Sequence, residues 1–168
     1  MNELQQFLAH AVALETDAAE RYDELHRAMD VHHNTEIAEL FAQMAHYSRL
    51  HRAEARERAE RAGGVPAVDP WAFAWGGAES PESAATEAVH YRMSAHDALA
   101  VALAAERSAH DFYARVAETT SDPEVRALAG EFAEEEGGHA LEIERWIQRL
   151  PDEPGDALGD LDPPIDVD

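Results

Sequence analysis

Five side chains in this chain have the types and the spacing of metal ligands. Three glutamates each lie inside an otherwise apolar helical stripe, and two histidines occupy matching positions, one of them on the same helical stretch as a glutamate. They are Glu15, His51, Glu106, Glu136 and His139. Because Glu136 and His139 are three residues apart, both side chains project to the same side of a helix. Carboxylate oxygen and imidazole nitrogen together suit iron or manganese, and also zinc.

The apolar surroundings of the three glutamates favour a bound cation. Burying an ionised carboxylate without a partner costs several kcal/mol or more, and three converging carboxylates also repel one another. The chain contains no lysine, and its arginines fall mostly off these helical faces. An isolated Glu-x-x-His pair on an acidic helix is usually solvent-exposed and binds no metal. The prediction therefore depends on all five residues occurring together.

An internal repeat relates the two halves of the chain. The pattern Ala-x-x-x-Glu-x-x-Ala-x-x-x-Tyr ends at Tyr22 and again at Tyr113, and so relates Glu15 to Glu106. A second repeated pattern relates Ser48 and His51 to Glu136 and His139. The repeat predicts a pseudo-twofold bundle in which each half contributes equivalent groups to a shared centre. Tyr22 and Tyr113 are expected either to hydrogen-bond the ligand carboxylates or to serve as ordinary core aromatics.

Helical periodicity predicts the elements that position these residues. Four long helices are expected, at about Glu3–Met29, Asn34–Ala62, Ala95–Glu118 and from Ser121 to Leu150. No strand signal is found, so the fold class is all-α, a four-helix bundle with one long crossover between two repeated helix pairs. The bundle should occupy residues 1–150 with its crossover at 64–94, including a short helix at about Pro81–Arg92. Residues 151–168 read as an acidic disordered tail.

Composition excludes several classes of function. The 168 residues include 35 acidic and 13 basic ones, for a formal net charge of −22. Such a charge repels phosphate backbones and anionic lipid, so neither nucleic acid nor membrane is an expected partner. The absence of cysteine removes disulfides, iron–sulfur clusters and thiol chemistry. The N-terminal residues lack the basic start and apolar stretch of a signal peptide, so a cytoplasmic location is expected.

These features resemble the rubrerythrin-like branch of the ferritin-like superfamily. The resemblance covers about residues 3–150. It is strongest in Ala-Leu-x-x-Ala-Leu-x-x-Glu106-x-x-Ala-x-x-Phe-Tyr113 and in Phe-Ala-Glu-Glu-Glu136-Gly-Gly-His139. It implies a di-iron centre that reacts with peroxide or dioxygen, and commonly a homodimer. Glu15 and Glu106 would then be terminal ligands and Glu136 a bridging ligand, while His51 and His139 would each complete one ion's coordination.

Two departures from the family pattern qualify this expectation. Ser48 stands where the second helix of the family has a bridging glutamate, so a water, or less readily Glu54, would have to replace it. The cysteine-free chain also has no rubredoxin module, so redox turnover would need an external electron donor protein. Two alternatives therefore remain. One is a non-catalytic metal-binding or iron-handling protein with a degraded site. The other is a structural bundle whose Trp71, Phe73 and Trp75 contact a partner. Glu134 and Glu135, beside Glu136, are interpreted as a solvated face.

Overall fold

The computed structural model describes residues 2–64 and 93–151, and within these ranges the chain forms four helices and no strand. The helices are α1 (Glu3–Val31), α2 (Thr35–Arg61), α3 (Ala95–Thr119) and α4 (Pro123–Arg149). The predicted all-α architecture of two helix pairs joined by a long connection is confirmed. The predicted short helix, Trp71, Phe73, Trp75 and nearly all of the acidic tail lie outside the described residues.

Side-chain caps fix where three of the helices begin. Asn2 and Gln5 form a reciprocal capping box at the start of α1, and Ser94 and Asp97 form another at the start of α3. The Asp122 carboxylate accepts hydrogen bonds from the first backbone N–H groups of α4, directly before a proline at the first helical position. These caps determine where the helices begin, whereas the apolar stripes determine which residues face the bundle centre.

The helices of each pair are antiparallel. Gln5, near the start of α1, donates a hydrogen bond to the carbonyl of Ala62, just beyond the end of α2. Within the second pair, Val116 near the end of α3 shares a core cluster with Val125 near the start of α4. A 27-residue helix is about 40 Å long. The end of α2 and the start of α3 therefore lie at opposite ends of the bundle.

Two apolar clusters fill the bundle, one towards each end. The first includes Leu25, Met29, Ile37, Phe41, Leu99 and Ile143, and the second includes Phe7, Leu8, Phe112, Val116, Val125 and Phe132. Along α1, the cluster that contains Phe7 ends at Leu14, and the cluster that contains Leu25 begins at Tyr22. Glu15 lies between the two clusters. Glu106 lies in the same gap along α3. The core is therefore divided by a polar layer at mid-height, as the buried-glutamate pattern predicts.

No helix in the described ranges is both long enough and apolar enough to cross a membrane.

Candidate metal centre

The three glutamates in the apolar stripes are buried in the polar layer. Glu15, Glu106 and Glu136 are 7%, 3% and 6% exposed, and they come from α1, α3 and α4. Glu136 lies within hydrogen-bonding reach of both Glu15 and Glu106. One ligand atom from each of Glu106, Glu136 and His139 lies within 4.8 Å of the others, a spacing that one ion can bridge. The geometry therefore brings three predicted ligands into one donor set.

Both predicted histidines turn the same ring nitrogen towards these carboxylates. The Nδ1 atom of His139 is 3.4 Å from an oxygen of Glu136 and 3.7 Å from one of Glu106. The Nδ1 atom of His51 is 3.8 Å from an oxygen of Glu15. The two imidazole rings are nearly parallel, with centroids 5.9 Å apart. All five predicted ligands thus gather at one place, with His51 and Glu15 on one side and His139 and Glu106 on the other.

The two repeat-related tyrosines bound the polar layer from opposite ends, but they differ in their hydrogen bonds. Tyr22 donates its hydroxyl proton to an oxygen of Glu106, in the other half of the molecule. Tyr113 is fully buried, and its hydroxyl has no hydrogen-bond partner among the described residues. The expectation that both tyrosines hydrogen-bond ligand carboxylates therefore agrees with the structure for Tyr22 alone. Burial and the nearby Glu15 carboxylate raise the pKa of Tyr113, so its hydroxyl stays protonated.

The carboxylates differ in their affinity for protons. Burial, reinforced by the charge of Glu106, raises the pKa of Glu136 well above its usual value. Burial also raises the pKa of Glu15, to about 7. Burial alone would raise the pKa of Glu106 as well, but hydrogen bonds from Glu136, His139 and Tyr22 lower it to about 2. Without a cation, this cluster holds protons near neutral pH, and a bound cation would displace them.

Ser48 is buried on α2, three residues before His51, in the position that Glu136 takes relative to His139. The four-helix centre therefore has three carboxylates where a fully symmetric repeat would have four. Glu54, considered above as a replacement, is instead engaged by Arg58, whose guanidinium lies 3.0 Å from its carboxylate. No other acidic residue of α2 replaces it in the donor set found among the described residues.

Glu135 contributes to the site, and its interpretation as part of a solvated face was wrong. Its carboxylate lies 3.2 Å from Nε2 of His51, the nitrogen that faces away from Glu15. The repeat places Tyr47 at the corresponding position of α2, and its ring stacks on His139 with centroids 6.0 Å apart and planes 3° from parallel. Each of these residues therefore contacts the histidine of the opposite half. The repeat alignment was the signal that could have identified the pair.

A small cavity of about 20 Å³ adjoins the cluster between α1 and α3. It is lined by Glu15, Arg21, Glu106, Tyr113 and Glu136, among others. The volume is sufficient for about one water molecule. Arg21, which the sequence did not place near the site, is buried there with its guanidinium carbon 5.0 Å from the centre of the Tyr22 ring. A small molecule in this cavity would touch the carboxylates of Glu15, Glu106 and Glu136 directly.

The fold and the site define a class: four-helix bundles with a carboxylate and histidine centre between repeated helix pairs. The chain belongs to the rubrerythrin family, whose model matches residues 6–147. It is also similar to the crystal structure of an uncharacterised conserved protein from Magnetospirillum magnetotacticum MS-1. That similarity has 38% sequence identity and a TM-score of 0.76, and it covers 90% of this chain and 98% of the other. The search of curated proteins found no match.

Proposed function

We propose that this protein binds two iron ions in the polar layer of the bundle and uses them to reduce peroxide or dioxygen. The observation that carries the proposal is the buried cluster of Glu106, Glu136 and His139, with ligand atoms within 4.8 Å of one another. Membership of the rubrerythrin family supports iron as the metal. Oxygen and imidazole donors would also accept manganese or zinc.

The donor set fits divalent cations in number and in charge. Glu106 and His139 would hold one ion, Glu15 and His51 would hold the other, and Glu136 would be shared because it reaches both glutamates. The ions would supply the positive charge that otherwise comes from protons held in the cluster. Ligand exchange with water remains available, because five protein side chains cannot fill the coordination of two ions of this type.

The chain's own groups would bind and orient the reactants. When bound, two ferrous ions supply the two electrons that convert one hydrogen peroxide and two protons to two waters. The water-sized cavity beside Glu15 and Glu106 would bring a small reactant into contact with the centre. Tyr22 holds Glu106 through its hydroxyl, and Tyr113 presents a protonated hydroxyl on the Glu15 side of the layer. The apolar clusters above and below exclude bulk water from the reaction.

Anaerobic iron titration tests this proposal. Ferrous iron is added to the metal-free full-length protein, the excess is removed, and hydrogen peroxide is introduced. We expect near-ultraviolet absorption of ferric iron to appear as peroxide is consumed, at about one peroxide per two irons. Iron that binds but neither oxidises nor consumes peroxide faster than free iron would contradict the redox function.

Ser48 favours a second candidate, a metal-binding protein without turnover. A buried serine in place of a bridging carboxylate weakens the hold on a second ion. This candidate predicts one tightly bound ion per chain and no catalytic consumption of peroxide. Metal counting on the purified protein, followed by the same peroxide assay, separates the two functions.

Repeated turnover would require electrons from another protein. The chain has no cysteine and so no iron–sulfur or rubredoxin-type centre of its own. We propose an external electron donor, and a cytoplasmic homodimer as the working form, in line with the family resemblance. Light scattering on the purified protein tests the dimer. Reduction of the oxidised centre by a small rubredoxin-type protein tests the donor.

A further inference from the structure

The two halves of the centre are unequally prepared for metal, although the repeat makes them equivalent in sequence position. On one side, Glu106 accepts a hydrogen bond from Tyr22, and His139 follows Glu136 on the same helix. On the other side, Glu15 lacks the corresponding bond because the Tyr113 hydroxyl has no partner among the described residues. Among the described residues, the donor set with all ligand atoms within 4.8 Å comprises Glu106, Glu136 and His139.

In the half of the centre that contains Glu15, the least supported candidate ligand is His51. The residue three positions before it is Ser48, which supplies no carboxylate to the ion that His51 would bind. The imidazole ring of His51 is instead oriented by Glu135 of α4. Its Nε2 atom, which faces away from Glu15, donates a hydrogen bond to the Glu135 carboxylate at 3.2 Å. With a proton kept on Nε2 by Glu135, the Nδ1 atom, which lies 3.8 Å from a Glu15 oxygen, would be available to bind an ion. A carboxylate behind a ligating imidazole fixes its tautomer and orientation and increases its basicity.

We infer that the two metal positions fill in order, the Glu106–Glu136–His139 position first, and that Glu135 is a positioning residue on which filling of the Glu15–His51 position depends. The inference rests on the proposed metal-binding function. Loss of such a supporting partner typically weakens metal affinity by about 10- to 100-fold. The contact behind His139 is of a different kind, since the Tyr47 ring stacks on its plane. Removing Glu135 should therefore affect the second ion selectively.

Manganese binding to the metal-free full-length protein tests the order and the role of Glu135. Equilibrium dialysis counts the ions, and electron paramagnetic resonance distinguishes an isolated Mn²⁺ from a magnetically coupled pair. Wild type should give the isolated signal up to one equivalent and the coupled signal beyond it. Glu135→Gln should leave the affinity for the first ion unchanged and lower the affinity for the second by about tenfold or more. Glu135→Ala should lower the affinity for the second ion further.

Glu134→Gln is the matched control, because it removes the same charge from the exposed neighbouring residue. It should bind both ions as wild type does. The inference is overturned if Glu135→Gln retains wild-type binding of the second ion, if it weakens both ions equally, or if wild type saturates at one ion. Ordered binding of two ions without peroxide consumption by the iron-loaded protein would support this inference while contradicting the redox function.

Discussion

Tyr22 lies on α1, the helix that carries Glu15, yet its hydroxyl donates a hydrogen bond to Glu106 on α3. The bond connects the two helix pairs through the polar layer at the point where the apolar core is interrupted. Glu135 and His51 form a similar connection between α4 and α2. The cluster is thus held together by contacts between the pairs, and each half of the repeat orients ligands that belong to the other.

Replacing Tyr22 by Phe should weaken both the fold and the metal site. Glu106 would lose a donor while remaining buried, which costs about 1–3 kcal/mol. For a domain of this size, that corresponds to a fall in Tm of roughly 3–10 °C. The dissociation constant for the first manganese ion should rise by about tenfold. Thermal melts and manganese titration measure the two effects.

Tyr113→Phe provides the comparison for that variant, because it deletes the repeat-equivalent hydroxyl, which has no partner among the described residues. Its melting temperature and its affinity for the first ion should stay close to wild type. Equal losses in the two variants would show that the hydrogen bond between Tyr22 and Glu106 has no special role.

Replacing Ser48 by Glu should have opposite effects in the presence and absence of metal. A fourth buried carboxylate adds repulsion and desolvation cost, so the metal-free variant should melt below wild type. With metal bound, the restored carboxylate should bridge the two ions and tighten the second by about tenfold or more. Calorimetric melts with chelator test the loss of stability, and melts with manganese test the gain in metal binding. Ser48→Ala should change neither, and a Ser48→Glu variant that binds no more metal than wild type would contradict the account.

Metal-free protein should lose stability as the pH rises through neutrality. Burial raises the pKa of Glu15 from 4.5 to about 7 and raises that of Glu136 further above its usual range. Because the folded state binds these protons more tightly than the unfolded state, their stabilisation is complete below about pH 4.5 and is lost as the pH rises through 7. Glu106, whose pKa is lowered to about 2, has the opposite dependence and affects only the acid range.

Metal affinity should increase as the pH rises, whereas the stability of the metal-free protein decreases. Cations require the deprotonated carboxylates, so binding should tighten between about pH 6 and pH 8 and should release protons. Manganese at about 100 times its dissociation constant should stabilise the fold by about 2.7 kcal/mol. Melting curves recorded with chelator and with manganese across this range should therefore diverge as the pH rises. Parallel curves would contradict a carboxylate centre that exchanges protons for metal.

The sequence was sufficient for the fold and for placing the five candidate ligands in one layer, because both follow from helical periodicity. The glutamates in the apolar stripes could face only the bundle centre, and the repeat then placed His51 opposite His139. Glu135 was missed because periodicity gives the angular position of a residue but not the direction that a long side chain takes. The different hydrogen bonding of Tyr22 and Tyr113 could not be predicted either, because it depends on how closely the helix pairs approach at each hydroxyl.

Counting iron in the wild type and in Glu136→Ala is the most direct test of whether a bound cation holds the buried glutamates together. Full-length protein is loaded anaerobically with ferrous iron, freed of excess, and analysed for iron per chain, with circular dichroism to confirm that the variant folds. We predict about two irons per chain in the wild type and less than about half of one in the folded variant. Wild-type protein without iron, or a folded variant that retains all of it, would contradict the account.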